Sequence, residues 1–250
     1  MPREALIVGL GLIGGSAGIA LRARDWRVRY VDPNVALEDA LAKQAAHERV
    51  DAIDDASDVI VFATPIDAAV RELATLRARC IVTSTCSAMR ALRALARTPF
   101  VAGHPMAGSH EQGLAAAHGN LFREKRWFVD GDNAIVDELI RDCGATRDKV
   151  DAETHDAAVA LTSHLPQVLS TALAAYLQGQ SIDPRFVGSG LRDFLRLAGS
   201  PASMWAPLLA ANGDNIAPHA EGVARIVRSM LESGDAMRTF EDARAFWRTL

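Results

Sequence analysis

The sequence predicts an α/β fold, in which a doubly wound, mostly parallel sheet is followed by an all-helical region. In the first half of the 250 residues, short apolar runs of strand type alternate with helical stretches, as expected when helices join parallel strands. After about residue 149, an Ala- and Leu-rich pattern of helical period replaces this alternation, and no convincing strand follows. We therefore expect two domains, residues 1–150 and residues 151–250.

A glycine-rich motif joins the first predicted strand to the first helix. An apolar run leads directly into Gly9-Leu10-Gly11-Leu12-Ile13-Gly14, which has the pattern G-x-G-x-x-G. Gly9 lets the chain turn off the strand, Gly11 lets the backbone approach a pyrophosphate, and Gly14 lets the helix pack on the sheet. The free N–H groups at the helix start would then face the phosphates.

An acidic residue stands where the ribose of a dinucleotide would lie. The second predicted strand, 28–31, ends at Asp32, at about the spacing of 20 residues that this motif requires. A carboxylate there accepts hydrogen bonds from both ribose hydroxyls and repels a 2′-phosphate, which favours NAD over NADP. Arg27 and Arg29 precede it and are expected to lie along the strand. The predicted cofactor-binding residues are Gly9, Gly11, Leu12, Ile13, Gly14, Asp32, Thr64 and Pro65.

The remaining elements of the first half follow from apolar runs and turn signals. Residues 58–63 form a buried-strand pattern that ends at Thr64-Pro65, after which Asp67 can cap a helix. Further short strands are predicted at 80–83, 100–103 and 127–129.

The second half is predicted to be helical throughout. A long helix covers 151–177 and kinks near Leu165, because Pro166 cannot continue the helical hydrogen bonding. A helical region this rich in small side chains is often completed by a second subunit, so we expect a homodimer. Further helices are predicted at 184–198, 203–217, 219–233 and 235–247.

Composition narrows the possible functions. With a net charge of −4 and no cluster of Lys or Arg, the chain is not expected to bind nucleic acid. No apolar run approaches the roughly 20 residues of a membrane span. Cys80, Cys86 and Cys143 lack C-x-x-C spacing, which argues against a disulfide framework or a zinc site and fits the reducing cytoplasm, where we expect the protein.

Polar residues follow two predicted strands at the sheet edge where ligands bind in such folds. His104 comes after the strand at 100–103, and Pro105 keeps it extended, with Gly103 and Gly108 leaving room for a substrate. Histidine titrates near neutral pH and suits acid–base catalysis. The hydroxyls of residues 83–87, Ser87 among them, could bind a substrate oxygen or cap the next helix.

A third polar cluster lies in the helical half. Ser163 and Gln167 are four residues apart and share a helix face, as do Arg192 and Arg196. The two arginines could receive a substrate carboxylate, or they could form a surface ion-pair network with Asp193. Spacing alone leaves both alternatives open.

Together these segments resemble the prephenate/arogenate dehydrogenase family of tyrosine biosynthesis. The resemblance extends from about residue 5 to 215, and it implies a Rossmann domain followed by a helical dimerisation domain. It further implies that His104 is the catalytic histidine and that Ser87 contacts the ring hydroxyl of the substrate. Arg196 corresponds to the arginine that binds a substrate carboxylate, and Ser163, His164, Gln167 and Arg192 are expected in the same substrate-binding set. The motifs that carry the resemblance are 9–16, 104–109, 163–166 and 192–198, continued by Met204-Trp205 and Asn212.

The implied reaction is the NAD-dependent oxidative decarboxylation of arogenate to tyrosine, of prephenate to 4-hydroxyphenylpyruvate, or of both. The chain departs from many relatives at Ser84, Met89, His110 and Gln167. Gln167 stands where many prephenate-using members have a second histidine, which favours arogenate or dual use.

Two alternatives remain open, and a third is disfavoured. One is a 4-amino-4-deoxyprephenate dehydrogenase of an antibiotic pathway, and another is a catalytically idle NAD-binding module. A β-hydroxyacid dehydrogenase would need a lysine in the stretch 188–196, which has none.

Overall fold

The computed structural model describes residues 2–109, 111–232 and 234–249, so His110 lies outside the described residues. By contacts, the chain forms two compact units. The first comprises Met1–Ala158 and Ser200–Ala211, and the second comprises Val159–Gly199 and Asn212–Leu250. The predicted domain boundary between residues 150 and 151 stays a prediction.

The first unit is built on a sheet with the strand order β3-β2-β1-β4-β5-β6-β7-β8. Neighbouring strands are parallel except β6 and β7, which are antiparallel. The chain order reverses between β1 and β4, so the turn after β1 lies at the switch point where open parallel sheets bind ligands. This confirms the predicted doubly wound sheet. The strands are β1 (Glu4–Val8), β2 (Arg27–Val31), β3 (Glu48–Arg49), β4 (Val59–Phe62), β5 (Ile81–Ser84), β6 (Phe100–Pro105), β7 (Arg126–Asp130) and β8 (Thr146–Lys149).

Helices cover both faces of this sheet. Alternate residues of β1 point to opposite faces: Ile7 joins a core cluster with Leu21 of the first helix, and Leu6 joins another with Leu73 and Leu92. The helices that begin in this unit are α1 (Leu12–Arg22), α2 (Leu37–Ala42), α3 (Ile66–Thr75), α4 (Met89–Leu95), α5 (Ala134–Asp142) and α6 (Ala152–Val159).

The rest of the described chain is helical, as predicted. It contains α7 (Leu165–Gln178), α8 (Ser189–Leu195), α9 (Ala202–Glu232) and α10 (Ala236–Trp247), together with short 3-10 segments at Pro184–Phe186 and Arg196–Gly199. None of the described helices has the length and apolar character needed to span a membrane.

The break before Pro166 takes the form of a π-helical turn, Ala160–His164. The N–H of Leu165 donates to the carbonyl of Ala160, five residues back, instead of the usual four. One extra residue is thereby inserted between α6 and α7. The predicted interruption of the long helix is present, and it begins one turn earlier than Leu165.

Two local predictions were wrong. Asp67 does not cap α3, because the helix begins at Ile66 after Pro65; the Asp67 carboxylate instead pairs with Arg71 at 2.9 Å. The helices predicted at 203–217 and 219–233 are one helix, α9, which continues through Pro218.

Candidate active site

The glycine motif has the conformation and the close contacts that a dinucleotide cradle requires. Gly9 has φ +92°, and a Cβ on it would lie 2.7 Å from Thr64 Cγ2. A Cβ on Gly14 would lie 2.0 Å from the carbonyl oxygen of Gly9, so only glycine lets α1 approach β1 this closely. At Gly11 a Cβ would meet nothing within 4 Å, which leaves open space in front of the turn.

The start of α1 is open to an anion. Gly11 is its N-cap residue and provides no side-chain cap, and the first turn contains no acidic residue. The first N–H groups of a helix have no acceptor within the helix, so those of Leu12 and Ile13 can donate to phosphate oxygens.

Asp32 is fixed at the end of β2, beside the glycine turn. Its Oδ2 accepts from the N–H of Leu10 at 2.8 Å, and its Oδ1 accepts from the N–H of Asn34 at 2.9 Å. Each oxygen keeps acceptor capacity for a ribose hydroxyl.

The two nearby arginines, Arg27 and Arg29, lie along β2, as expected, and form ion pairs there. Arg29 pairs with Asp54 at 2.6 Å, and Arg27 pairs with Glu48 at 2.7 Å. The hydrogen bond with Asp54 raises the pKa of Arg29, and the same contact lowers the pKa of Asp54. Both guanidinium groups are therefore paired with other carboxylates and not with Asp32.

Thr64 and Pro65 follow β4, at the edge of the sheet where Gly9 turns. Thr64 Oγ1 is buried and has no hydrogen-bond partner among the described residues. The carbonyl of Thr64 accepts a hydrogen bond from Cys86 Sγ at 3.6 Å. Burial raises the pKa of the Cys86 thiol to about 12, so this cysteine is not a thiolate nucleophile.

His104 was predicted to follow its strand, but it lies within β6, where it is paired with Phe128 of β7. Gly103 does not leave room for a substrate, because a Cβ on it would lie 2.7 Å from the carbonyl of Ser84 and 3.0 Å from Trp127 Nε1. Gly108 has open space around it, as predicted.

The imidazole of His104 is joined to a second histidine and a carboxylate. His104 Nδ1 lies 3.0 Å from His155 Nε2, and His155 Nδ1 lies 2.8 Å from Asp156 Oδ1. The two rings are perpendicular, with centroids 5.1 Å apart, and the ring of Phe128 lies 5.7 Å from that of His155. His155 and Asp156 are both buried.

Asp156 also caps the start of α4, which has no cap from its own N-cap residue. Its two oxygens accept from the N–H groups of Met89 at 2.8 Å and Arg90 at 2.9 Å. The N-cap residue, Ala88, supplies no side-chain hydrogen bond. The half-buried Ser87 hydroxyl therefore does not cap this helix, which resolves one alternative left open by the sequence. Ser84 is fully buried and bonds to the backbone of Gly103.

In the second unit, His164 and Gln167 are both buried and held by neighbouring helices. Asn212 Nδ2 lies 3.1 Å from His164 Nδ1. Gln167 Nε2 donates to the carbonyl of Leu197 at 2.8 Å and to Thr171 Oγ1 at 3.1 Å. The side-chain nitrogen of Gln167 thus stabilises the turn that follows α8. Ser163 lies on the π-helical turn and, unlike His164 and Gln167, is exposed.

Arg192 and Arg196 are exposed on α8 and on the turn after it. Within the described part of the chain, neither guanidinium forms an ion pair, and Asp193 does not pair with Arg196. Of the two alternatives the spacing left open, the surface ion-pair network is therefore not formed. Both side chains keep their donors for an anion.

His155 and Asp156 were not predicted from the sequence. Adjacent residues on a helix do not normally face each other, so their spacing carried no signal. The available hint was a neighbouring histidine and aspartate in an otherwise Ala-rich helix. No group of three or more metal-binding side chains comes together in the ranges that the structure describes.

Comparison with known proteins assigns both halves of the chain to one family. The family model described as "Prephenate dehydrogenase, nucleotide-binding domain" matches residues 19–145, and "Prephenate dehydrogenase, dimerization domain" matches residues 151–241. The first match begins at residue 19, after the glycine motif at 9–14. The motif is therefore evidence for nucleotide binding that does not depend on this match.

Individual proteins agree with these matches. "Probable prephenate dehydrogenase NovF" of Streptomyces niveus is 34% identical over 92% of this chain and 68% of its own length. Prephenate dehydrogenase of Bacillus subtilis is 28% identical over 96% of this chain and 73% of its own length. The crystal structure of prephenate dehydrogenase from Aquifex aeolicus shares the fold, with a TM-score of 0.82 at 20% identity, covering 98% of this chain and 99% of that one. The chain therefore belongs to the prephenate dehydrogenase family, a family of dehydrogenases in tyrosine biosynthesis.

Proposed function

We propose that this protein catalyses the NAD-dependent oxidative decarboxylation of a cyclohexadienyl substrate, arogenate, prephenate or both. The observation that carries this proposal is the position of His104 at the carboxyl end of β6, on the sheet edge where the glycine turn and Asp32 also lie. A dinucleotide cradle and a basic imidazole on one sheet edge are what hydride and proton removal from an alcohol require.

The cofactor we propose is NAD. The anchored Asp32 carboxylate, the uncapped start of α1 and the unpartnered Thr64 Oγ1 support it. NAD, when bound, supplies a hydride acceptor. In the cradle, the N–H groups of Leu12 and Ile13 would bind the pyrophosphate, and Asp32 would bind the adenosine ribose.

The substrate carries a ring carboxylate para to a secondary alcohol across a cyclohexadiene. As the carbinol carbon loses its hydride, His104 Nε2 would accept the hydroxyl proton, and Ser87 would orient that hydroxyl. The resulting ketone is conjugated to the carbon that bears the carboxylate, so carbon dioxide leaves and its bonding electrons make the ring aromatic. The proton held on His104 returns to the phenolate oxygen, which balances the reaction.

Arg196 is the residue we propose for binding a substrate carboxylate, with Arg192 as a second cation. Their exposed guanidinium groups, without ion pairs in the described chain, support this role. A charge-assisted hydrogen bond of this kind contributes roughly 1.5–3 kcal/mol. Ser163 and His164 stay predicted substrate-binding residues.

The substrate preference we propose is for arogenate or for both substrates. Gln167 cannot become a cation, and its Nε2 already donates to Leu197 and Thr171, so its position offers no charge to a second carboxylate. The names of the relatives, which are prephenate dehydrogenases, support the cyclohexadienyl class.

We also propose that the protein is a homodimer. The model matching 151–241 is described as a dimerization domain. The second unit exposes an unusual number of large apolar side chains, a feature typical of subunit interfaces. They include Phe186, Ile226, Val227, Leu231, Met237, Phe240, Phe246 and Trp247. The expected cytoplasmic location stays a prediction.

A direct assay tests the reaction. The purified protein is mixed with NAD or NADP and with prephenate, arogenate or 4-amino-4-deoxyprephenate, and NADH formation is followed together with carbon dioxide release. We expect NAD to be reduced with arogenate at least. Reduction only with the 4-amino substrate would support the antibiotic-pathway alternative. NAD binding without turnover of any substrate would identify an idle module.

A further inference from the structure

We propose that His155 and Asp156 are positioning residues that fix the tautomer of His104, so that its basic nitrogen is Nε2. This rests on the proposed function in one respect, since the tautomer matters for catalysis only if His104 is the base. The observation behind it is the continuous contact from Asp156 through His155 to His104.

The anchor of this arrangement is Asp156. Its side chain is fully buried, and each oxygen accepts a backbone N–H, from Met89 and from Arg90. Since a backbone N–H can only donate, both oxygens act as acceptors. The carboxylate therefore keeps a fixed orientation, set by the start of α4, and presents Oδ1 to His155.

The protons on the two rings follow from this anchor. His155 Nδ1, 2.8 Å from Asp156 Oδ1, must carry hydrogen to donate to it. A neutral His155 then has its lone pair on Nε2, so His104 Nδ1, 3.0 Å away, is the donor of the second hydrogen bond. With its hydrogen on Nδ1, His104 has its lone pair on Nε2.

The same arrangement stabilises His104 after it accepts a proton. The imidazolium keeps its Nδ1–H on His155 Nε2, and the negative charge of Asp156 lies on the far side of the His155 ring. His155 is only 2% exposed, so water does not replace this hydrogen bond. Its ring also packs against the rings of His104 and Phe128, which are paired neighbours on β6 and β7.

The tautomer can be measured without any assay of catalysis. Long-range proton–nitrogen NMR of the imidazole groups, on the intact free protein, distinguishes a protonated Nδ1 from a protonated Nε2. We expect the Nδ1–H form for both His104 and His155. Finding the Nε2–H form of neutral His104, or a doubly protonated His155 at neutral pH, would overturn the proposal.

Variants test the catalytic consequence. His155→Phe keeps a ring but removes the acceptor, and we expect kcat to fall at least about 100-fold while KM and the Kd for NAD change little. His155→Gln places an amide oxygen near the position of Nε2, and we expect it to recover about tenfold or more of that loss. Asp156→Asn removes the charge and one of the two oxygens that accept here. We expect a smaller population of the Nδ1–H form of His104 in the NMR spectrum and a lower kcat.

Glu153→Gln is the matched control, because it replaces an exposed carboxylate on the same helix. It should leave the spectrum and kcat unchanged. If His155→Phe retains kcat within a few-fold of the parent protein while the parent is active, the positioning role is wrong. If the parent turns over no substrate, the proposed function fails, and the NMR measurement still decides whether the tautomer is fixed.

Discussion

Asp156 serves two neighbours at once, since it accepts the first N–H groups of α4 and the imidazole of His155. One side chain thereby links the segment that carries Ser87 to the partner of His104. A buried carboxylate is costly unless its hydrogen bonds are made, and here Met89, Arg90 and His155 all donate to it. The orientation of the proposed base thus depends on a residue that does not itself approach the substrate.

The role of His104 can be tested by His104→Asn. The amide can occupy the place of Nδ1 and keep a contact with His155, but it has no group at the position of Nε2. We expect kcat to fall at least about 100-fold, because the proton acceptor is lost, with the Kd for NAD within about twofold. Steady-state kinetics and a nucleotide titration measure the two quantities. Turnover close to that of the parent would remove His104 from the mechanism.

Asp32 should determine the choice between NAD and NADP. Asp32→Asn removes the charge and keeps one oxygen, which can accept from the Leu10 N–H, while the hydrogen bond from the Asn34 N–H is lost. We expect the ratio of NADP to NAD affinity to rise at least about tenfold, as the repulsion of a 2′-phosphate is lost.

Asp132→Asn is the control for this change. Asp132 follows β7, which runs antiparallel to β6 and therefore ends at the opposite edge of the sheet. Its substitution should leave the cofactor ratio unchanged. An equal shift in both variants would mean that overall charge, and not the ribose contact, sets the preference.

At the scale of the elements, different glycines in the turn from β1 to α1 serve the packing of the fold and the binding of a ligand. A Cβ at Gly14 would overlap the carbonyl of Gly9, whereas a Cβ at Gly11 would project into open space. The two positions therefore serve different purposes, close packing in one case and access for a ligand in the other.

Two alanine variants should distinguish these purposes. Gly14→Ala should lower the free energy of unfolding by about 1–3 kcal/mol, because α1 must move away from β1. Gly11→Ala should leave the stability within about 0.5 kcal/mol, since the new methyl group meets no protein atom, but should weaken NAD binding at least about tenfold. Urea unfolding and nucleotide titration give both values. Equal losses of stability in the two variants would contradict this division.

The sequence predicted the central elements of the sheet and failed at its edges. The strand β4 and all but the first residue of β1 are runs of buried apolar residues, and β5 begins with Ile81 and Val82, so the pattern reveals these strands. The edge strands β3, with the sequence Glu-Arg, and β8, with the sequence Thr-Arg-Asp-Lys, were missed, because edge strands carry charged side chains that resemble a loop.

The candidate site was likewise predictable only in part: local motifs were found from the sequence, and contacts between distant residues were not. Residues in a local motif, such as Gly9 or Asp32, were identified because the cofactor dictates their spacing. His155 is 51 residues from His104, and their contact arises only from folding. The use of Gln167 to hold the carbonyl of Leu197 could not be predicted either, since it joins positions 30 residues apart.

At the scale of the whole molecule, the exposed apolar side chains of the second unit bear on assembly. Leu231 is 82% exposed and Phe240 is 67% exposed, and both would be unfavourable in contact with water. In the proposed homodimer, a second copy of the chain would cover these side chains.

The assembly can be tested with charged substitutions. Leu231→Glu combined with Phe240→Glu should convert a dimer to monomers, because burying two carboxylates in an apolar interface is unfavourable. Leu41→Glu, at an exposed leucine of α2 in the first unit, should leave the dimer intact. Sedimentation velocity measures the mass of each. A parent protein that sediments as a monomer, or a double variant that stays dimeric, would contradict the assignment.

The position of Asp156 also limits how this enzyme can be recombined with its relatives. The family matches place residues 155 and 156 in the C-terminal segment, whereas their contacts place them with Met1–Ala158. A hybrid joined between residues 145 and 151 would therefore combine one parent's His104 and α4 with the other parent's His155 and Asp156. Crossovers made after residue 158 would inherit all of them from a single parent, and we expect those hybrids to be the active ones.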